Sequence, residues 1–525
     1  MKKYAMTQLN AFLARSSAAL LLLSGASAFA IDEQSSPQEI AQALKAAEPA
    51  ARIEALKLAG PRLDLDASNT ASLLALVDDP APEVRLEAVQ QLPHVWLNRR
   101  AAAVAHACAK DGDKPEFHDA LLLAAHDVAP EVLSILTRDA AFTGSSANIA
   151  LLRDLARLAE SGPSPITATT ARATLQAVSA DNADARRALI EGFASGAAIT
   201  GRRGFLKDLV DTPGIVAETM TALIADARAN ISDPAKTPQD RLAAIGLLSV
   251  DTYDNASSLL LALIVPAQPI EVQTAALRAL LNFRNPAAAT LALGSWPSLT
   301  PTLRRQLYAT AATNTDYLEE FFKALEAGTV TMDTLVQFGF PELLNHASLS
   351  VRERAGHLLD TAPREALLDT TAVYKKLQAL TPSVENGKQV FKDNCASCHV
   401  LNGEGNKLAP DLDFMARAGV YRLLENVVNP NQVIAPEYFS YTVETSDLSS
   451  YVGVIAKETA DDILIKGPNR EEHVVPRADI STITCSEKTL MPIGWEESLG
   501  DQKLADLVTF VTTPVKKTET ETAGK

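Results

Sequence analysis

Residues 395–399 read Cys395-Ala396-Ser397-Cys398-His399, a C-x-x-C-H motif. This pattern is the signature of a haem that is bound covalently through two thioethers. Two thiols on one helical turn can reach the two vinyl groups of a haem, and the adjacent imidazole then lies under the iron. A redox-active disulfide and half of a zinc site use the same C-x-x-C spacing, so both remain alternatives.

The N-terminus has the layout of a secretory signal peptide. Basic residues precede an apolar run at 18–23, and small residues follow it up to Ala30. The run is too short for a bilayer core of roughly 30 Å, which needs about 20 apolar residues. We predict a signal peptide over residues 1–30 and an exported, periplasmic chain with no membrane span after cleavage; an uncleaved anchor is the alternative. Covalent haem attachment takes place outside the cytoplasm, so export and the motif support each other.

Composition and charge narrow the possible functions. The chain has 525 residues, of which 47% are hydrophobic and 21% charged, which is typical of a globular protein with more than one domain. The net charge of −16 argues against nucleic acid, whose phosphates need a basic surface. An acidic face can still dock a basic redox partner.

The four cysteines do not form a disulfide framework in so long a chain, and we expect Cys108 and Cys485 to be separate buried thiols, with a bridge between them as the alternative.

A recurring helix start runs through residues 31–362. It reads PEVRLEA at 82–88, PQDRLAA at 238–244 and IEVQTAA at 270–276, with weaker copies near Pro301 and Val351. From Arg241 to Gln273 and from Gln273 to Arg304, equivalent positions are 32 and 31 residues apart, a period typical of stacked helix pairs. The element resembles the second helix of HEAT repeats. This resemblance implies a HEAT-like α-solenoid, in which neighbouring helix pairs bury a common core; a generic helical array is the alternative.

The order of motifs after residue 384 resembles that of a monohaem cytochrome c. A short helix with Gly387 and Phe391 precedes the C-x-x-C-H motif, a loop reading LAPDL at 408–412 follows it, and a TLMPIG turn at 489–494 precedes an amphipathic terminal helix at 499–511. In that family, a small residue in the first helix allows the last helix to cross closely.

The resemblance also implies roles for individual residues. The Pro410 carbonyl would accept the second imidazole proton of His399, and Met491 would be the second axial ligand of the iron. Gly405, together with Gly403, would let the backbone approach the porphyrin. Met415 and His473 are the other candidate ligands, and a five-coordinate iron is a further alternative.

The interval between His399 and Met491 does not have the pattern of helix. Its segments 438–445, 451–457, 463–466, 473–476 and 480–485 are rich in Val, Ile, Tyr and Thr, which predicts a small antiparallel sheet inserted at about 437–486. This combination resembles a split cytochrome c found in secreted bacterial proteins, often joined to HEAT repeats and to sugar-dehydrogenase-like propellers. Ala409 and Trp495 depart from that pattern. The positions that match it are Gly387, Phe391, Cys395, Cys398, His399, Pro410, Asp411, Leu412, Pro430, Asp479, Ile480, Met491, Pro492, Gly494, Asp506 and Leu507.

The predicted fold is therefore mainly α. After the signal peptide, it consists of the HEAT-like domain at 31–362, a linker at 363–383, and a cytochrome c domain at 384–514 that carries the β-insertion. A polar, disordered tail is predicted at 515–525.

The predicted function is that of a periplasmic c-type cytochrome that transfers single electrons through one covalent haem c. The haem would be bound by Cys395, Cys398, His399, Pro410 and Met491, with His399 and Met491 as the metal ligands. The helical array would dock a redox partner, for which a periplasmic dehydrogenase is the candidate. We find no catalytic residue and predict no enzyme activity of its own. A haem-based redox or gas sensor, or an interaction scaffold without an electron-carrier role, is the alternative, and peroxidase activity is a third.

Overall fold

The computed structural model describes residues 31, 35–65, 67–331, 343–361, 367–468 and 471–513. The predicted signal peptide and tail lie outside these residues. The chain is mainly helical and carries a small antiparallel sheet, as predicted. It divides into two compact units, one ending at Val128 and one beginning at Ala129.

The first unit is helical in its described residues. Helices α2, α4 and α6 pack against one another in succession. The helices are α1 (Pro37–Ala43), α2 (Pro49–Ala59), α3 (Ala67–Leu76), α4 (Pro82–Gln91), α5 (Leu97–Asp111) and α6 (Pro115–Ala125).

The recurring sequence element marks the first turn of these helices. Proline occupies the first helical position of α2 and α4, where its missing N–H removes no helical hydrogen bond. The fourth position holds Arg52 or Arg85, whose side chain is buried and donates to the carbonyl five residues earlier, in the preceding turn. The element is therefore a helix start with a buried arginine that ties it to the loop before it.

The second unit begins with further helices, which we call the helical region (129–361). In it, α9, α11, α14, α16 and α18 pack in succession. The helices are α7 (Ala129–Leu136), α8 (Ala140–Thr143), α9 (Ile149–Ser161), α10 (Ala168–Ala177), α11 (Ala183–Thr200), α12 (Arg203–Val210), α13 (Ile215–Asn230), α14 (Pro238–Leu248), α15 (Tyr253–Leu261), α16 (Ile270–Leu281), α17 (Pro286–Gly294), α18 (Pro301–Thr313), α19 (Thr315–Glu326) and α20 (Leu349–Thr361).

The rest of the second unit, which we call the cavity region (367–513), combines helices with the sheet. Its helices are α21 (Thr370–Gln378), α22 (Val384–Asn394), α23 (Leu412–Met415), α24 (Val420–Val428) and α25 (Trp495–Thr512). A short hairpin pairs β1 (Val400–Leu401) with β2 (Glu404–Gly405). The segment 363–383, predicted to be a linker, includes α21, whose Val373 and Leu377 are buried in the same core as Leu504 of α25.

The predicted β-insertion forms a five-stranded antiparallel sheet with the order β6-β5-β4-β3-β7. Its strands are β3 (Tyr441–Thr445), β4 (Ser450–Glu458), β5 (Asp462–Lys466), β6 (Glu472–Pro476) and β7 (Ile480–Cys485). Each strand overlaps a segment predicted from its Val, Ile, Tyr and Thr content. The sheet has its own core around Phe439, Tyr441 and Val443.

The crossing of α22 and α25 depends on a glycine, as the sequence predicted. A Cβ at Gly387 would lie 2.0 Å from the carbonyl oxygen of Asp506, so only glycine permits this approach. Phe391 on the same face packs against Phe510, with ring centroids 5.9 Å apart. The terminal helix begins at Trp495, earlier than predicted, and is kinked at Gly500, where φ is 72°.

None of the helices in the described residues is long and apolar enough to cross a membrane. Cys108 and Cys485 are each buried, and neither forms a disulfide.

Candidate functional site

A cavity of about 360 Å³ lies in the cavity region, within the size range of ligand pockets. All five residues predicted to bind a haem line it, namely Cys395, Cys398, His399, Pro410 and Met491. Most of the remaining wall is apolar, with contributions from Leu408, Leu412, Leu423, Val427, Ile434, Leu507 and Val511. The structure therefore brings together residues that are spread over nearly a hundred positions of the chain.

The two thiols and the imidazole come from one turn of chain after α22. The amide of Cys395 donates to the carbonyl of Phe391 at 2.8 Å, and the amides of Cys398 and His399 donate to the carbonyl of Cys395 at 3.1 and 2.9 Å. Burial raises the pKa of the Cys395 thiol to about 12. This environment favours the neutral thiol. A cysteine that takes part in thiol–disulfide exchange needs a lowered pKa instead, which favours the thiolate.

The imidazole of His399 has a fixed orientation. Its Nδ1 lies 2.9 Å from the carbonyl oxygen of Pro410, which is the hydrogen bond that the resemblance implied. Because a carbonyl only accepts, Nδ1 carries the proton and Nε2 keeps its lone pair. Burial lowers the pKa of His399, and the hydrogen bond to Pro410 opposes that shift in part.

Gly405 makes a close backbone contact beside the C-x-x-C-H turn. Its φ is +118°, and a Cβ there would lie 2.0 Å from the carbonyl oxygen of His399. The glycine is thus required by close packing of the β1–β2 hairpin against the C-x-x-C-H turn.

The three candidates for the second ligand lie in different places. Met491 is half-buried and lines the cavity; its amide donates to Thr489 Oγ1 at 3.1 Å. Met415 lines the cavity as well. His473 lies in β6, where its ring packs against that of Tyr451 with centroids 4.7 Å apart and the ring planes tilted by 41°, and it is not part of the cavity wall. The structure therefore leaves two methionines as candidates.

Trp495 is a cavity residue that the sequence argument noticed only as a departure from the family pattern. It is the first residue of α25 and lines the cavity. Its indole Nε1 is buried and has no hydrogen-bond partner among the described residues. A buried N–H without a partner costs free energy, so the site suits a ligand that brings an acceptor.

Together these residues form a donor set that fits a covalent haem. Two thiols can form thioethers, an imidazole nitrogen and a thioether sulfur can bind iron, and the apolar wall suits a porphyrin. The Trp495 N–H suits one of the carboxylates that a haem carries. Among the described residues, no group of three or more His, Cys, Asp or Glu side chains gathers in a way that could hold a metal ion directly.

Comparison with known families agrees with this geometry. Residues 384–439 match the family model described as Cytochrome c. A search of curated proteins finds no match to the chain. The matched segment is a cytochrome c domain, and such domains bind haem covalently, are typical of electron carriers and are typically exported. The match includes the C-x-x-C-H motif and Pro410, and it ends before the sheet and Met491.

Proposed function

We propose that the protein is a periplasmic c-type cytochrome that carries one haem c and transfers single electrons. The observation that carries the proposal is that one apolar cavity brings together Cys395, Cys398, His399 and Met491, with the imidazole held by Pro410. When bound, haem supplies one-electron chemistry between the ferric and ferrous states.

Each of the five site residues has a defined role in this proposal. Cys395 and Cys398 attach the haem through thioethers. His399 binds the iron through Nε2, and the hydrogen bond to Pro410 fixes its tautomer and raises its basicity. Met491 is the second ligand. A thioether ligand and an apolar wall both favour the reduced state, so a relatively high reduction potential follows.

The helical parts of both units form the proposed docking scaffold. Helix starts with proline or isoleucine at the first position and arginine or glutamine at the fourth occur at α2, α4, α14, α16 and α18, and support a HEAT-like solenoid over 31–362. In this proposal the array docks a redox partner, a periplasmic dehydrogenase being the candidate. If the oxidised protein mixed with such dehydrogenases and their substrates is never reduced, the docking role is refuted.

Haem attachment is tested on the protein isolated from its native compartment. A pyridine haemochrome spectrum and the intact mass should together give one covalent haem per chain. The double variant C395A/C398A should lose covalent haem completely, whereas C108A, which removes a buried thiol far from the motif in sequence, should retain it. A colourless wild-type protein would refute the proposal.

A further inference from the structure

Buried arginines at the fourth position of α2 and α4 each pair with an acid one repeat later. In the first unit, Arg52 pairs with Asp79 and Arg85 pairs with Asp111, each with an N···O distance of 2.8 Å. The acids follow the arginines by 27 and 26 residues. The pairing is thus supplied by the next repeat along the chain.

Arg304 holds the same position in α18 but takes its acid from elsewhere. It is completely buried, and its Nε donates to the carbonyl of Leu299, five residues back, at 3.1 Å. The residue 27 positions later is Thr331, which has no carboxylate. The carboxylate is that of Glu487, 183 residues later, with Oε1 at 2.7 Å from Nη1 of Arg304.

Glu487 is held by three side chains of the helical region. Besides Arg304, the indole Nε1 of Trp296 donates to Oε1 at 3.1 Å, and the hydroxyl of Thr331 donates to Oε2. The guanidinium of Arg304 also lies over the Trp296 ring, 5.1 Å from its centroid. Glu487 thus completes, from the cavity region, the pairing that the repeat itself lacks.

Glu487 begins the short segment that leads to Met491. Hydrogen bonds to Ser440 and to Asn431 hold this segment in place. Its backbone has a positive φ of 55°, which a non-glycine residue keeps only where its surroundings hold it. The amide of Ser486 donates to the carbonyl of Ser440 at 2.9 Å, and the amide of Ser440 donates to the carbonyl of Lys488 at 2.8 Å. The amide of Thr489 donates to Oδ1 of Asn431 at 3.1 Å.

A second contact also joins the sheet to the helical region. Arg477 is almost fully buried and donates to the carbonyl of Pro266 and to Glu458 at 3.2 Å each, while Thr302 donates to Glu458 at 2.8 Å. Loss of the Glu487 contacts would therefore leave the sheet attached. The specific effect of Glu487 is on the segment beside it.

We propose that Glu487 is a positioning residue for Met491, through which the helical region sets the strength of the second haem ligand. This inference rests on the proposed function, because it takes Met491 as that ligand. It gives the helical region a direct effect on the haem in addition to partner docking. The carboxylate does not touch the cavity; it acts through the four-residue segment that ends in the thioether.

Competition with imidazole tests this role. In the ferric holoprotein, the sulfur-to-iron charge-transfer band reports Met491 ligation, and added imidazole removes it. E487Q keeps the shape of the side chain but leaves the buried Arg304 without a charged partner, and W296F keeps the ring but removes one donor. We expect E487Q to lose the band at about tenfold lower imidazole, which is about 1.4 kcal/mol, and W296F to shift in the same direction by less.

E437Q is the matched control. Glu437 is exposed, precedes the cavity residue Tyr438, and makes no hydrogen bond to the helical region among the described residues. E437Q removes the same charge as E487Q but breaks no contact with the helical region. The imidazole concentration at which half of the band is lost should therefore stay at the wild-type value. Equal midpoints for E487Q and E437Q would overturn the positioning role while the proposed function stands. A wild-type protein without haem or without the band would overturn both. If E487Q does not fold, W296F tests the proposal in its place. A wild-type imidazole midpoint in W296F would then overturn the positioning role of Glu487.

Discussion

The helical parts of the protein and the cavity region differ in where buried polar groups find their partners. Arg85 takes a carbonyl five residues back and a carboxylate 26 residues on. In the cavity region, by contrast, Asn431 holds Thr489, 58 residues away, and Asp506 accepts from the amide of Ser383, 123 residues away. The helical structure is thus encoded locally and repeatedly, whereas the site is assembled from distant segments.

This difference predicts which substitutions should change stability and which should change the haem spectrum. A change in the helical parts away from Trp296, Arg304 and Thr331, which contact Glu487, should reduce stability and leave the haem spectrum intact, because the polar partners there lie within the helical parts. A change at the cavity or at Glu487 should alter the haem first. The following variants test that separation, from the largest expected effect to the smallest.

Removal of the carboxylate of Asp111 should be the most damaging single change in the helical parts. Burial would raise the pKa of Asp111, but hydrogen bonds from Arg85 and Lys114 outweigh it and hold the pKa below 3.8. D111A leaves the buried Arg85 unpaired and should lower the free energy of unfolding by about 3–5 kcal/mol, measured by urea denaturation. D226A is the control: its carboxylate is 40% exposed and its partner Arg187 is 46% exposed, so the loss should be about 1 kcal/mol or less.

The lowered pKa also fixes the pH dependence of this pair. The stability that it contributes is present above the unfolded-state pKa and is lost as the pH falls through the folded-state value. The difference between wild type and D111A should therefore shrink in acid. A difference that stays constant down to pH 2 would contradict this account, as would a changed haem spectrum in D111A.

Glu160 in α9 should show the opposite pH dependence. Its side chain is buried, and burial raises its pKa from 4.5 to about 7, although Arg202 and Thr200 partly oppose the shift. Its folded state therefore keeps a proton that the unfolded state releases, so the contribution of Glu160 to stability is highest below pH 4.5 and falls as the pH rises to about 7. The fall should amount to about 3 kcal/mol at 1.36 kcal/mol per pKa unit.

E160Q should remove this slope, which urea denaturation at a series of pH values can measure. The exposed Glu319 gives a control, since E319Q should keep the wild-type slope. If E160Q retains the full slope, the buried carboxyl is not its source. In either variant the haem spectrum should not change.

Substitution of Gly387 should have the smallest effect on stability but should reach the cavity. G387A places a methyl group 2.0 Å from the Asp506 carbonyl, so α22 and α25 must move apart. We expect a loss of about 1–3 kcal/mol and a perturbed haem spectrum. G204A, where a Cβ meets nothing within 4 Å, should leave stability unchanged or raise it slightly and should not affect the spectrum. Identical behaviour of the two variants would refute the close crossing.

The parts that could be predicted from sequence are those with a short-range or periodic signal. The C-x-x-C-H turn, the hydrogen bond from His399 to Pro410, the close approach at Gly387 and the β segments rich in Val, Ile, Tyr and Thr each depend on neighbouring residues or on a known order of motifs. The same holds for the helix starts at Arg85 and Arg304.

The parts that could not be predicted depend on single residues with distant partners. The sequence around Glu487 does not indicate that this residue pairs with Arg304, because a single acidic residue in a turn forms no recurring sequence pattern. The missing acid at Thr331 is the only signal, and it is visible only when the repeats are aligned on Arg52 and Arg85. Trp495 was likewise visible as a departure from the family pattern, but only the structure shows that its indole N–H is buried and has no hydrogen-bond partner in the described part of the chain.

The central claim is that His399 and Met491 are the two ligands of one covalent haem. The most direct measurement is the visible spectrum of the ferric protein in M491A and M415A, since both methionines line the cavity. The account predicts that M491A loses the sulfur-to-iron band and that M415A keeps it. Loss of the band in M415A alone, or rapid binding of carbon monoxide by the reduced wild-type protein, would contradict it.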